Sequence, residues 1–247
     1  VKEFREPFLG GGSVALEITK RYPHINVWVN DLYEPLYNFW CELQHNGQEL
    51  QDALLGIKSI YCNPDAARCL FITSKEQIND SDLSNFDRAV AFYIVNKCSF
   101  SGLTESSSFS AQASESNFST NGIERLTEYS EIIERWKITN LSYESMLCDD
   151  KDTFIYLDPP YDIKDNLYGK KGDIHKRFDH DKFAHDCDQH TCPMLISYNS
   201  DQIIRDRFYE WTVGEFAHTY TMRSVGCYNI DQATRKELVL TNYEMRS

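Results

Sequence analysis

The chain has 247 residues, 41% hydrophobic and 13% aromatic, enough for one α/β domain with a large core and a smaller inserted subdomain, which excludes global disorder. With 38 acidic against 25 basic residues the formal charge is −13, an argument against indiscriminate binding to a polyanion. The longest apolar run, residues 89–95, falls far short of the roughly 20 residues that cross a bilayer, and eight cysteines without a CxxC or a secretory leader point to free thiols, so a cytoplasmic location and no membrane partner are expected.

In chain order, residues 1–7 end in a short extended stretch. Gly10, Gly11 and Gly12 make a turn, and residues 13–21 carry apolar side chains at helical spacing with Ser13 as N-cap. Residues 25–29 read as a buried strand ending at Asn30-Asp31, so the opening is strand, glycine turn, helix, strand and acid, as in a doubly wound fold. From residue 34 to about 138 the pattern is mostly helical, with one amphipathic helix over 83–97 and another over 122–136. Between these two, residues 99–121 hold nine Ser and are predicted to build no core and to stay mobile until a partner orders them. Strands at 152–157 and 194–198, helices at 179–188 and 202–209, and last strands at 209–222 and 237–242 restore the α/β rhythm. The prediction is a doubly wound mixed α/β sheet, built from 1–43 and 137–247, with a largely helical insertion at 44–136.

Two elements carry chemistry. In Glu6-Pro7-Phe8-Leu9-Gly10-Gly11-Gly12-Ser13-Val14-Ala15 the glycines let backbone pass close to a ligand, and the helix behind them offers free N–H groups. Gly10, Gly12 and Ala15 also fit GxGxxA, and Asp31 lies near the spacing at which an acid holds ribose hydroxyls. Alone, the turn suits NAD and S-adenosylmethionine equally, or is a ligand-free strand-to-helix turn. The second element, Asp158-Pro159-Pro160-Tyr161, follows the hydrophobic strand Thr153-Phe154-Ile155-Tyr156-Leu157, at the end of an open α/β sheet where ligands bind. Its prolines stiffen the loop. One carboxylate, one free carbonyl and one aromatic ring suit an exocyclic amine on a planar base: Asp158 and the Pro159 carbonyl accept its two N–H groups and Tyr161 stacks on the ring.

Together these residues resemble the Dam-like family of N6-adenine DNA methyltransferases, with the glycine motif first and DPPY late. The likeness runs over nearly the whole chain, through Asn30-Asp31-Leu32, Phe92 to Gly102, Leu195 to Ser200 and Lys236 to Tyr243. It implies a sheet of the S-adenosylmethionine-dependent methyltransferase type, an insertion that recognises DNA, and methyl transfer to the N6 amino group of a flipped adenine in double-stranded DNA. By the resemblance, Pro7, Phe8, Gly10, Gly12, Asp31, Ser142, Tyr143 and Asp158 would line the cofactor, while Asp158, Pro159, Pro160 and Tyr161 would hold the adenine. No metal and no covalent nucleophile is implied, and a restriction enzyme acting on the same site is a candidate partner.

The family carries a further segment before the glycine motif, with a Lys and glycines that touch the cofactor. Here the strand starts within about five residues of Val1, so that half of the pocket is expected to be truncated or missing. The family also places an acid then an aromatic where Ser142-Tyr143 stand, so reduced cofactor affinity is expected. For DNA contact the candidates are Lys97, Ser101, Lys170 and Lys171, the last two within a basic cluster with Lys164, Lys176 and Arg177, and Phe109 or Phe118 as a wedge between bases. His175, His180, His185 and His190 recur every five residues beside Cys187 and Cys192, but five helical residues turn about 140°, so they share no face and no zinc site is expected. Alternatives are a silent DNA-binding remnant, a methyltransferase for RNA or a free base, and a NAD-dependent dehydrogenase.

Overall fold

The computed structural model describes residues 1–100, 104, 107–160, 178–218 and 235–244. Strands β1 (Glu3–Glu6), β2 (Asn26–Asn30), β3 (Lys137–Thr139), β4 (Thr153–Leu157), β5 (Met194–Asn199), β6 (Thr212–His218) and β7 (Arg235–Thr241) form one sheet in the order β3-β2-β1-β4-β5-β7-β6. The first five pair in parallel, and β7 runs antiparallel between β5 and β6. That reversed strand separates the sheet from the 3-2-1-4-5-6 order typical of dinucleotide-binding folds. The α/β class predicted from the sequence is thus the observed one.

The register explains the layering. Phe4 lies beside Val27 and Phe154, and Arg5 beside Ile155. In β4, Thr153, Ile155 and Leu157 are buried towards one face, while Phe154 and Tyr156 pack half-buried on the other. Helices α1 (Ser13–Arg21), α2 (Glu34–His45), α3 (Gly47–Ile60), α4 (Pro64–Gln77), α5 (Asn85–Cys98), α6 (Ala111–Ser116), α7 (Thr120–Glu124) and α8 (Leu126–Ile132) come between β1 and β3 and build the first core with Phe4, Val27 and Val29. Helices α9 (His180–Asp188) and α10 (Gln202–Arg207) serve the second, around Ile155, Met194 and Leu240. Because the chain runs outward from β1 to β3 and then returns to β4, the strand order reverses between β1 and β4. A crevice therefore opens at their carboxyl ends.

Several expectations change. The N-cap of α1 is Gly12, in left-handed conformation, and Ser13 is the first helical residue without a capping bond. The predicted helix over 122–136 is divided at Arg125 into α7 and α8. Helix α5 is buried round most of its circumference, at Ala89 and from Ala91 to Val95, so it is a central helix of the first core rather than an amphipathic one. The described part of the Ser-rich stretch is folded: Ser110 Oγ accepts the Ala113 N–H at 3.2 Å and Ser119 Oγ the Gly122 N–H at 3.2 Å, which start α6 and α7. Phe118 is wholly buried with its ring 6.3 Å from Tyr93 of α5, so the stretch contributes to the core it was expected to lack. Among the described residues no helix is long and apolar enough to cross a membrane.

Candidate functional site

Three strand ends meet at the crevice. After β1 the chain turns through Pro7, Phe8 and Leu9 into Gly10 and Gly12, with φ of +49° and +66°. Left-handed values cost an L side chain roughly 1–2 kcal/mol, so glycine belongs at both positions. A Cβ on Gly12 would stand 2.9 Å from the Trp40 ring, whereas one on Gly10 or Gly11 would meet nothing within 4 Å. The turn is thus packed underneath and open in front. Trp40 of α2 also donates its indole N–H to the Gly10 carbonyl at 3.1 Å, a support that the sequence reading missed.

Asp31, at the end of β2, holds the turn from the side. Its two oxygens accept the Gly10 N–H and the Tyr33 N–H, each at 2.9 Å. Burial pushes its carboxyl up to about 6, although both N–H donors pull the other way. Asn30 before it is 1% exposed and fully bonded: its amide donates to the Pro7 and Leu141 carbonyls at 3.1 and 2.9 Å, and its oxygen accepts the Leu141 N–H and the Thr139 hydroxyl at 2.8 and 2.9 Å. One side chain thus ties together the ends of β1, β2 and β3.

Glu6, which precedes the glycine turn, is the most deeply buried acid of the site. It is 3% exposed and accepts the Ala15 N–H at 2.8 Å, giving α1 the capping acceptor that Ser13 was expected to supply. Burial, with Asp158 and Asp31 nearby, pushes it up to about 8. A raised carboxyl contributes stability that is complete below the unfolded value of 4.5 and is lost as pH rises through about 8. The unfolding midpoint of the protein is therefore expected to fall between pH 6 and 8, above the window of Asp31. Glu6→Gln, which keeps the acceptor but cannot ionise, flattens that fall. Equal slopes for both proteins in thermal melts would remove Glu6 from the pH response.

At the end of β4, Asp158 is exposed, Pro159 buried and Pro160 half-buried. Asp158 lies close enough to Glu6 and Tyr156 to raise both, while Tyr161 lies outside the described residues. Opposite, the Phe8 ring packs 5.7 Å from Tyr143 and 5.7 Å from Phe178, with Phe183 at 6.0 Å. Tyr143 donates its hydroxyl to Asp186 at 2.7 Å, and Lys182 joins Asp186 to Glu144 at 2.6 and 2.7 Å. Ser142, where the resemblance wants an acid, donates its hydroxyl to Glu144 and so brings a carboxylate to the position indirectly.

Of the residues considered for DNA contact, Lys97 is half-buried, 5.5 Å above the Tyr93 ring, and burial lowers its ammonium. Phe118 is 0% exposed and cannot wedge between bases. Phe109 is half-buried, 5.7 Å from Phe71. Ser101, Lys164, Lys170, Lys171, Lys176 and Arg177 lie outside the described residues. Thr104 is described: its hydroxyl donates to the Tyr33 hydroxyl at 3.2 Å, so the Ser-rich segment touches the residue whose N–H holds Asp31. Among the described residues no three His, Cys, Asp or Glu side chains stand together as a metal would need. His180 meets the Tyr198 hydroxyl instead, and His190 lies 3.6 Å from Asp149.

The three motifs expected to act together, the glycine turn, Asp31 and Asp158, do meet at one crevice, although they are distant in sequence. No curated protein matches the chain. The description of D12 class N6 adenine-specific DNA methyltransferases matches residues 1–223, most of its length and every strand of the crevice. The chain belongs to the D12 class N6 adenine-specific DNA methyltransferase family.

Proposed function

We propose that the protein uses S-adenosylmethionine to methylate the N6 amino group of an adenine turned out of duplex DNA. The observation that carries this reading is the placing of Asp158 and Pro159 at the end of β4, beside the open-fronted glycine turn of β1. The residues present fit a nucleoside cation: open space before Gly10 and Gly11, a carboxylate at Asp31, and the rings of Phe8 and Tyr143. In this reading Pro7, Phe8, Gly10, Gly12, Asp31, Ser142, Tyr143 and Asp158 line the donor site. Asp31 has lone pairs left for ribose hydroxyls after its two backbone bonds. The 1–43 and 137–247 segments carry the reaction and 44–136 recognises DNA. A restriction enzyme of the same specificity remains a candidate partner.

S-adenosylmethionine, when bound, supplies an electrophilic methyl group on a sulfonium. The protein orients and polarises the acceptor. Asp158 and the Pro159 carbonyl accept the amine N–H groups, draw the nitrogen lone pair out of conjugation and aim it at the donor. Pro159 and Pro160 keep that pair of acceptors rigid, and Tyr161 stacks on the base. Asp158 also offsets positive charge on the nitrogen as its bond to the methyl carbon forms and the methyl–sulfur bond breaks, and the amine then gives up one proton to solvent. Incubation with labelled S-adenosylmethionine and unmethylated duplex DNA, followed by nucleoside analysis, is expected to place the label in N6-methyladenine. Label on RNA alone, or on no nucleic acid, would overturn the reading.

A further inference from the structure

The four cations of α3, α4 and α5 that surround the Ser-rich segment lack acidic partners, as does Arg135, which donates to the Pro23 carbonyl away from that segment, whereas Arg88 and Arg125 are paired with acids. Arg88 lies 3.1 Å from Glu34 and Arg125 lies 3.9 Å from Glu128. Lys58, Arg68, Lys75 and Lys97 instead rest on rings and carbonyls. Lys58 donates to the Ser114 carbonyl at 3.2 Å and lies 4.9 Å from the Phe118 ring. Arg68, exposed, lies 5.2 Å over Phe109, and Lys75 donates to the Ser107 carbonyl at 2.8 Å beside Phe71. Lys97 covers Tyr93. Neither a ring nor a carbonyl cancels a full positive charge, so the exposed Arg68 and the half-buried Lys58 and Lys75 keep charge for an anion, and Lys97, whose ammonium burial lowers, keeps the least.

The segment these cations flank is also placed for a partner. Ser99 and Phe109 form an antiparallel bridge, with the Phe100 N–H on the Ser108 carbonyl at 3.1 Å and the Ser110 N–H on the Cys98 carbonyl at 2.9 Å. Beyond that bridge Thr104 reaches Tyr33, next to Asp31. The nearby acids of α4 and α6, Asp65, Glu76 and Glu115, are exposed and form no ion pair with the four cations among the described residues. In a chain of charge −13, cations left without acidic partners on both flanks of one segment need an explanation. A polyanion running along that segment provides it.

We infer that Arg68 and Lys75 of α4, with Lys58 and Lys97 across the Ser-rich segment, hold the phosphodiester backbone of duplex DNA beside the target adenine. This rests on the function proposed above and adds the part of the insertion that carries affinity. Phosphate contacts fix register without reading bases. They also reconcile an acidic protein with a polyanionic substrate, because local rather than net charge meets the backbone.

The test is binding of a fluorescein-labelled mixed-sequence duplex to the full chain over a range of salt concentrations. Each lost phosphate contact is expected to flatten the slope of log affinity against log salt by about 0.9. Arg68→Ala with Lys75→Ala is expected to lower duplex affinity at least tenfold and flatten the slope by about 1.8, while S-adenosylmethionine affinity stays unchanged. Arg125→Ala, which removes an acid-paired cation, leaves the slope alone. Lys75→Arg restores most of what Lys75→Ala loses. An unchanged slope and affinity in the double variant, or equal losses in Arg125→Ala, would overturn the inference. So would wild-type binding to single-stranded RNA more tightly than to duplex DNA. If the wild type methylates DNA and the double variant binds it normally, this inference fails alone; if the wild type methylates no DNA, the function proposed above fails.

Discussion

Asp158→Ala is expected to lower the rate of methyl transfer to DNA by at least about a thousandfold, the upper range for removing one preorganised polar group from a reacting centre. Binding of S-adenosylmethionine should fall far less than the rate, because Asp158 only borders the donor site while its proposed hydrogen-bonding partner is the amine. The side chain is exposed at the end of β4, so its truncation opens no cavity and leaves Leu157 and Ile155 in place. Asp158→Asn makes the sharper probe. It keeps size and one acceptor oxygen but presents an NH2 group where the amine also presents N–H. A comparable loss in both variants would locate the effect in acceptor chemistry rather than in shape. Single-turnover transfer of label, set beside calorimetry of donor binding, separates the two steps. Full activity in the Ala variant would end the proposed role of the DPPY element.

Asn30→Ala should cost about 4 kcal/mol or more of stability, a large share of the roughly 5–15 kcal/mol that holds a typical domain together. It would leave the Pro7 and Leu141 carbonyls, the Leu141 N–H and the Thr139 hydroxyl without their present partner in a buried place. An orphaned polar group of this kind costs about 1–3 kcal/mol. Asn30→Asp keeps the acceptor but aims a carboxylate at two carbonyl oxygens. Its damage should therefore be greatest at neutral pH and smaller in acid, where protonation returns one donor. Urea denaturation gives the comparison. Loss of less than about 1 kcal/mol in Asn30→Ala would mean that water or neighbouring groups replace the amide.

Local signals made part of this site readable. A hydrophobic run followed by glycines, or by two prolines, announces a strand end regardless of what packs on it, which is why β1, β2, β4 and their loops were found. The role of Glu6 was hidden because its partner, the Ala15 N–H, comes within reach only after α1 folds back over β1. The usual rule gave Ser13 the cap, but the backbone bends one residue earlier, where only Gly12 has the conformational freedom. The Ser-rich segment misled for a related reason. Serines that read as solvent-loving filler are caps of two short helices, and the single Phe118 is too little to signal a core that other helices complete. Likewise, β7 carries no local mark of its antiparallel direction, which shows only in its pairing with β5 and β6.

Trp40 has a consequence for observing the molecule. Its indole N–H is spent on the Gly10 carbonyl, its ring lies against Gly12, and Trp136 stands 5.8 Å away, with its own N–H on Thr19 of α1 at 2.7 Å. A chromophore whose excited state responds to hydrogen bonding and local field is thus built into the wall of the glycine turn. Occupancy of the crevice can be followed through the intrinsic emission of the protein, without attaching a dye and without waiting for turnover.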